Sequence, residues 1–372
     1  MDRHIALSKQ ILDACLSIKP RQRVWINSWD HSIDLASDLA LECRRRNCDV
    51  LLTVQPEDLW LRSIIEAPIV LLETLPAHIA NALEETDVYI YTLGPRKPIP
   101  WDRIPADRRR LVSIWLDTRY DKSGYAEQWA HVARKKKVRM VAIEATLATP
   151  ERAETMGLDF EEWKRVMFDG CAADPAEMAT RGARLEPTLI SDGQVHITTP
   201  SGTNLAFRLD KRLLDYSYGL ATEEKAERGE VVFLPTGGIE VSAVEDSAEG
   251  TIVYDAIIRS GKGQVKDLSL NLVQGRVKQF SAKSGQEIFE QYLKDGTRDE
   301  NRFSYFGFGL NPKLRLGYGQ DDKVLGSTVI GFGRSSAAGT ENVATGTWWA
   351  AMTRATVTIN GQMIMRDGVL SG

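Results

Sequence analysis

From Arg23 to Glu144 strand-like apolar runs alternate with stretches of helical periodicity, and this rhythm limits the possible folds more than any other feature of the chain. Arg23–Asn27 (RVWIN) is a predicted strand. Ser32–Arg46 is a predicted helix whose buried face is Leu35, Ala36, Leu39, Ala40 and Cys43. Further strands are predicted at Val50–Val54, Asp87–Tyr91, Leu111–Leu116 and Arg139–Glu144, with helices at Pro76–Leu83 and Tyr125–Val132. Strands separated by helices cannot be joined as hairpins and pair in parallel, which gives a doubly wound α/β sheet. The first strand leads into Ser28, Trp29, Asp30 and His31, not into a glycine fingerprint, so no dinucleotide site is expected at that turn. Thr149–Ala183 follows as a largely helical stretch, with Thr149 capping ahead of Pro150.

At Leu185 the texture changes. Short strands bounded by Gly, Asp and Asn replace the earlier rhythm: Gln194–Thr198, Asn204–Leu209 and Glu230–Leu234, then the segment Leu234–Asp255 (LPTGGIEVSAVEDSAEGTIVYD). Within that segment Ile239, Glu240, Val241 and Ser242 alternate like a half-buried strand. Gln264–Val273 and Arg276–Ala282 form a predicted hairpin about Gln274 and Gly275, and Gly285–Lys294 is a predicted helix. The expected organisation is a Rossmann-like, doubly wound parallel α/β domain over 1–184 and a mixed-sheet α+β domain over 185–372.

The chain has 372 residues, 43% of them hydrophobic, which is enough for two cores. Its formal net charge of −4 argues against nucleic acid as a partner. Three basic runs, Arg44–Arg46, Arg108–Arg110 and Arg134–Lys137, fall at predicted helix ends or just before strands, where cations suit the helix dipole and solvent. No apolar run has the length of a membrane span, and the amphipathic start lacks a signal-peptide core. Cys15, Cys43, Cys48 and Cys171 have no CxxC spacing and are expected to be reduced thiols of a cytoplasmic protein.

Five blocks of the second half occur in one order: ITTPSGTNLAFRL (Ile197–Leu209), the Leu234–Asp255 segment, FGFGLNP (Phe306–Pro312), DDKVLGSTVIGFG (Asp321–Gly333) and the closing INGQMIMRDGVL. This set resembles the aminopeptidase T/S metallopeptidases and their relatives, the iron-dependent dihydroxypyridine ring-cleaving dioxygenases. The resemblance implies an amino-terminal α/β domain, a catalytic carboxy-terminal domain with a metal site, and a homodimer. Carried over position by position, the ligand set is not retained. The glutamate of the P-x-G-E-V block falls on Gly238, a second glutamate on Tyr305 and the histidine of a G-x-x-H block on Val329. The final H-x-D block falls on Trp348, Trp349 and Ala350. All five histidines (His4, His31, His78, His131, His196) precede the first of the resembling blocks. The expectation is therefore a site with no metal and no other cofactor.

Tyr305, Trp348 and Trp349 would then wall an aromatic pocket for a small molecule. Glu240, two residues beyond Gly238 on an extended segment, would point to the same side and act as the proton-transfer group. Arg334 would anchor a substrate carboxylate, Ser335 and Ser336 would orient water, and Glu341 would add a polar contact. Asp321, Asp322 and Lys323 are expected to form a salt-bridged turn, with a role in the site as the second reading. Plainer readings stay open: aromatic bulk filling vacated volume, an exposed strand carboxylate, a solvated loop cation. The leading expectation is a metal-independent hydrolase that adds water to a small aromatic or heterocyclic substrate. Its alternatives are a metal-dependent aminopeptidase or ring-cleaving dioxygenase with differently placed ligands, and a binding protein without catalysis.

Overall fold

Apolar runs separated by helices produce the predicted parallel sheet. In the computed structural model of the chain, which describes residues 3–118, 121, 123–212, 214–260, 263–335 and 340–371, five strands lie side by side. Their order is Asp49–Gln55, Arg23–Trp29, Val88–Thr92, Arg139–Ile143 and Val231–Leu234, all parallel. The central residues of the three inner strands, among them Ile26, Ile90 and Val141, are fully buried, as helices on both faces require. Helix Ile33–Arg45 buries Leu35, Ala36, Leu39, Ala40 and Cys43, the predicted face. Helix Gly124–Lys136 begins at Ser123, whose hydroxyl accepts the Ala126 N–H, and ends on left-handed Lys137.

Two expectations change. Leu111–Leu116 is not a strand: Val88–Thr92 pairs directly with Arg139–Ile143, so no place remains between them. The segment forms a 3-10 turn, Ala106–Leu111, and then irregular chain that buries Leu111, Val112 and Leu116. The single division at Leu185 also gives way. Val231–Leu234 joins the parallel sheet beside Arg139–Ile143, because a short apolar strand with three of its four residues buried satisfies that open edge. One compact unit takes in Met1–Glu154, Asp159–Ala172 and Gly219–Pro235, and the other Thr155–Leu158, Ala173–Tyr218 and Thr236–Gly372.

The second unit contains two antiparallel sheets. One has eight strands, ordered Arg276–Ser281, Leu268–Val273, Glu249–Tyr254, Asn204–Asp210, Asp192–Thr198, Thr356–Ile359, Gln362–Arg366 and Val369–Leu370. The other has five: Thr347–Met352, Thr328–Gly333, Phe303–Gly309, Gly238–Ser242 and Leu214–Ser217. Residues of both, including Val195, Leu205 and Phe207 from the first and Ile239, Phe306 and Ile330 from the second, share one core. The predicted hairpin forms with Gln274 and Gly275 at φ 49° and 67°, the pair of left-handed residues that a type I′ turn demands.

The four cysteines are free. Burial pushes the Cys15 and Cys43 thiols up to about 12, which leaves neither as a ready nucleophile. Among the described residues, no helix is long and apolar enough to cross a membrane.

Candidate functional site

The five-stranded sheet has two unlike faces. Strand alternation sends Ile239, Val241, Phe306, Phe308, Ile330 and Phe332 into the core. The residues between them line the other face in two rows. The first row runs Asp215, Glu240, Gly307, Val329, Ala351 across paired strands. The second runs Ser242, Tyr305, Gly331, Trp349. Tyr305, Val329 and Ala351 form a small buried cluster of their own, with Trp349 packed against it.

Glycines seat the two principal side chains. A methyl at Gly307 would lie 2.8 Å from Glu240 Cγ and 2.5 Å from the Ile239 carbonyl oxygen. A methyl at Gly331 would overlap the Tyr305 ring. The glycines therefore let Glu240 and Tyr305 lie flat across the neighbouring strands. Gly238, by contrast, has open space around its missing Cβ.

The other predicted residues separate. Trp349 is half-buried on the face of Glu240 and Tyr305. Trp348 points into the core, in edge contact with Phe289 at 4.8 Å between ring centroids and tilted on Tyr292 at 5.5 Å. Ser335 approaches the face, its hydroxyl 3.5 Å from that of Ser242. Arg334, partly exposed, anchors by its backbone, donating its N–H to Gly346 O at 2.8 Å; its guanidinium makes no ion pair among the described residues. Ser336 lies outside the described residues. Glu341 is exposed and donates its N–H to Glu245 Oε1 at 2.8 Å. Glu245 itself is buried. Burial raises its pKa, but Arg212 at 2.7 Å and the Glu341 N–H outweigh that and hold it below the usual carboxylate range. Asn342 donates through Nδ2 to the Phe303 and Gly333 carbonyls at 3.0 and 2.9 Å, which pins the loop.

A cavity of about 170 Å³ adjoins the edge strand, lined by Ala256–Arg259, Gly319, Asp321 and Thr347–Ala351. Trp349 and Ala351 belong both to it and to the Tyr305 cluster. A cavity of roughly 150 Å³ in another protein holds one benzene, so this space suits a single ring. Asp321, from the expected salt-bridged turn, is the carboxylate that lines this cavity. Asp322 makes the expected contact there, 4.0 Å from Lys323 Nζ. Asp321 instead accepts the Gly317 N–H, and burial pushes its carboxyl up to about 6, with Asp322 adding and Gly317 and Arg259 opposing. Arg259 is held by the Gly317 and Met156 carbonyls at 2.7 Å each. Asp321 opens the DDKVLGSTVIGFG block, but that block does not show its meeting with Arg259 of strand Ile258–Ser260, which runs through the Gly317 backbone.

Residues 173–372 match the sequence profile of a family described as 2,5-dihydroxypyridine 5,6-dioxygenase. The chain belongs to this family. Two solved structures share its fold. Aminopeptidase T from Thermus thermophilus aligns over 100% of this chain and 99% of its own, with a TM-score of 0.67 at 15% identity. A 2,5-dihydroxypyridine dioxygenase from Pseudomonas putida aligns over 100% and 97%, with a TM-score of 0.58 at 14% identity. No curated protein sequence matches the chain.

The family overturns the expected metal-independent hydrolase: it is one of dioxygenases, so the chain's enzymatic kinship lies with oxidoreductases. The aminopeptidase likeness is one of fold. A metal centre, which the resemblance also implies, can be tested against the donors present. Among the described residues no three His, Cys, Asp or Glu side chains are gathered to hold a metal. At the positions that the block resemblance assigns, Gly238, Val329 and Trp348 supply no metal-binding oxygen or nitrogen, and only the Tyr305 phenol remains. These residues do not fit the implied centre.

Proposed function

We propose that the second unit takes up one hydroxylated aromatic nitrogen ring, of the dihydroxypyridine class, and opens it with dioxygen as oxidant. The family match across 173–372 carries this reading. The 170 Å³ cavity beside Trp349 supports it, because that volume accepts one ring and not a peptide. Trp349, which lines the cavity, offers aromatic surface against which a flat ring can stack. Glu240 would accept the proton of a ring hydroxyl, and the resulting oxyanion makes the ring electron-rich and open to oxidation. Arg334 would meet that oxyanion. Asp321, with a carboxyl near pKa 6, would exchange a proton with the ring nitrogen or its second hydroxyl. Both atoms of dioxygen would enter the opened product. No step is assigned to a metal, since the donors at the positions that the block resemblance assigns do not fit one.

That same mismatch favours a second reading, in which the site binds the ring without turnover. Oxygen consumption by purified protein given 2,5-dihydroxypyridine, as isolated and after addition of iron(II) or manganese(II), separates the two. Oxygen uptake matched by loss of ring absorbance, and lowered at least tenfold in Glu240→Gln, supports ring opening. Calorimetric binding without uptake under every condition supports the second reading. Neither binding nor uptake refutes both.

A further inference from the structure

The first unit holds a pocket of about 680 Å³, four times the volume of the one beside Trp349 and within the roughly 300–1,000 Å³ range of small-molecule sites. It opens where doubly wound sheets bind ligands. Arg23–Trp29 is flanked by the next strand in the chain on one side and by Val88–Thr92 on the other, so the winding reverses between those strands. Asn27 and Trp29, Thr53 and Gln55, and Tyr91 and Thr92 line the pocket from the carboxyl ends of three strands.

Its chemistry is specific. The walls are aromatic: Trp25, Tyr89 and Trp129 meet at centroid distances of 4.7 to 5.5 Å, and Trp29 stands edge-on to Trp60 at 5.2 Å. No Asp, Glu, Lys or Arg is among the described lining residues, and His78 is exposed at its position there. A charged ligand would lose its hydration there and find no counter-charge. Two of the lining tryptophans differ at their indole N–H groups. Trp25 Nε1 donates to Thr53 Oγ1 at 2.8 Å, and that hydroxyl donates onward to Asn27 Oδ1 at 3.0 Å. Trp129 Nε1 is buried with no hydrogen-bond partner among the described residues, and the residue is 1% exposed. A buried donor without an acceptor is costly, and a ligand atom that accepts from it removes the cost.

We infer that this pocket is a second ligand site, for a neutral, flat aromatic molecule that carries a hydrogen-bond acceptor, seated on Trp129 Nε1. The site is independent of the reaction proposed for the second unit.

Three bicyclic probes separate the clauses of the inference: quinoline (neutral, with an acceptor), naphthalene (the same shape without one) and quinoline-2-carboxylate (charged). Binding to the full chain is read by titration calorimetry and tryptophan quenching. Quinoline is expected to bind most tightly, naphthalene roughly fivefold to tenfold more weakly, and the carboxylate weakest of the three. Trp129→Phe should erase the preference for quinoline over naphthalene while circular dichroism stays unchanged. Leu72→Trp should block both neutral probes by filling the pocket, and Trp349→Ala in the second unit should alter neither. Absence of quinoline binding overturns the inference. So does binding that survives Leu72→Trp, or a quinoline preference that persists in Trp129→Phe.

Discussion

If Gly331 exists to let the Tyr305 ring lie across its strand, adding one methyl there should be costly only while the ring is present. The Cβ of Gly331→Ala would overlap one edge of the ring. Tyr305 is 4% exposed and hemmed in by Val329, Ala351 and Trp349, so it has no free direction in which to move. Overpacking of this kind costs about 1–3 kcal/mol. The backbone does not contribute to that loss, since Gly331 is not among the residues at positive φ and alanine suits a strand better than glycine. Tyr305→Ala alone should cost about 3–5 kcal/mol through the cavity it leaves. In that background the methyl enters vacated space, and Gly331→Ala should cost nothing or stabilise slightly. The coupling energy is then about 1–3 kcal/mol, in the range for residues in direct contact. Urea titration read by hydrogen exchange in peptides from Phe303–Gly309 and Thr328–Gly333 isolates the second unit from the first. An equal cost of Gly331→Ala in both backgrounds would refute the seating of the ring by this glycine.

Three further outcomes follow from the geometry. Trp348→Ala should destabilise by about 3–5 kcal/mol because its indole lies in the core, whereas Trp349→Ala should cost less in urea titration yet abolish oxygen uptake with 2,5-dihydroxypyridine. Asp321 has a folded pKa of about 6, above the roughly 3.9 of an unfolded aspartate. Its contribution to stability is thus complete below the unfolded value and lost as pH rises through 6. Relative to Asp321→Asn, the wild type should lose up to about 3 kcal/mol between pH 4 and 7, and a flat difference across that range would refute the raised carboxyl. Gly275→Ala should lower the melting temperature of the second unit by several degrees. Its φ of 67° strains any side chain, and a Cβ there would overlap the Glu245 carbonyl.

Much of the fold was legible because it rests on local periodicity. The parallel sheet of the first unit follows from strands spaced by helices, and the left-handed pair Gln274 and Gly275 announces its hairpin. Leu111–Leu116 misled because an apolar run signals burial, while becoming a strand requires a free sheet edge, which local sequence does not record. Val231–Leu234 shows the converse, a run in the second half of the chain captured by an edge of the first sheet.

For the site, the sequence by itself determined which side chains were available: Glu240 two residues from Gly238, two adjacent tryptophans, and no histidine beyond His196. It also carried the order of blocks that resembles the aminopeptidase T/S enzymes and their dioxygenase relatives, and the profile match over 173–372 assigns the family. Only the tertiary structure decided which of these groups meet. Strand alternation sends Trp349 to the Glu240 face and Trp348 into the core, and the cross-strand register sets that face. The packing of distant loops brings Asp321 beside Trp349 and removes its carboxyl from water. Proton affinity and cavity shape belong to that packing, because both arise from residues far apart in the chain.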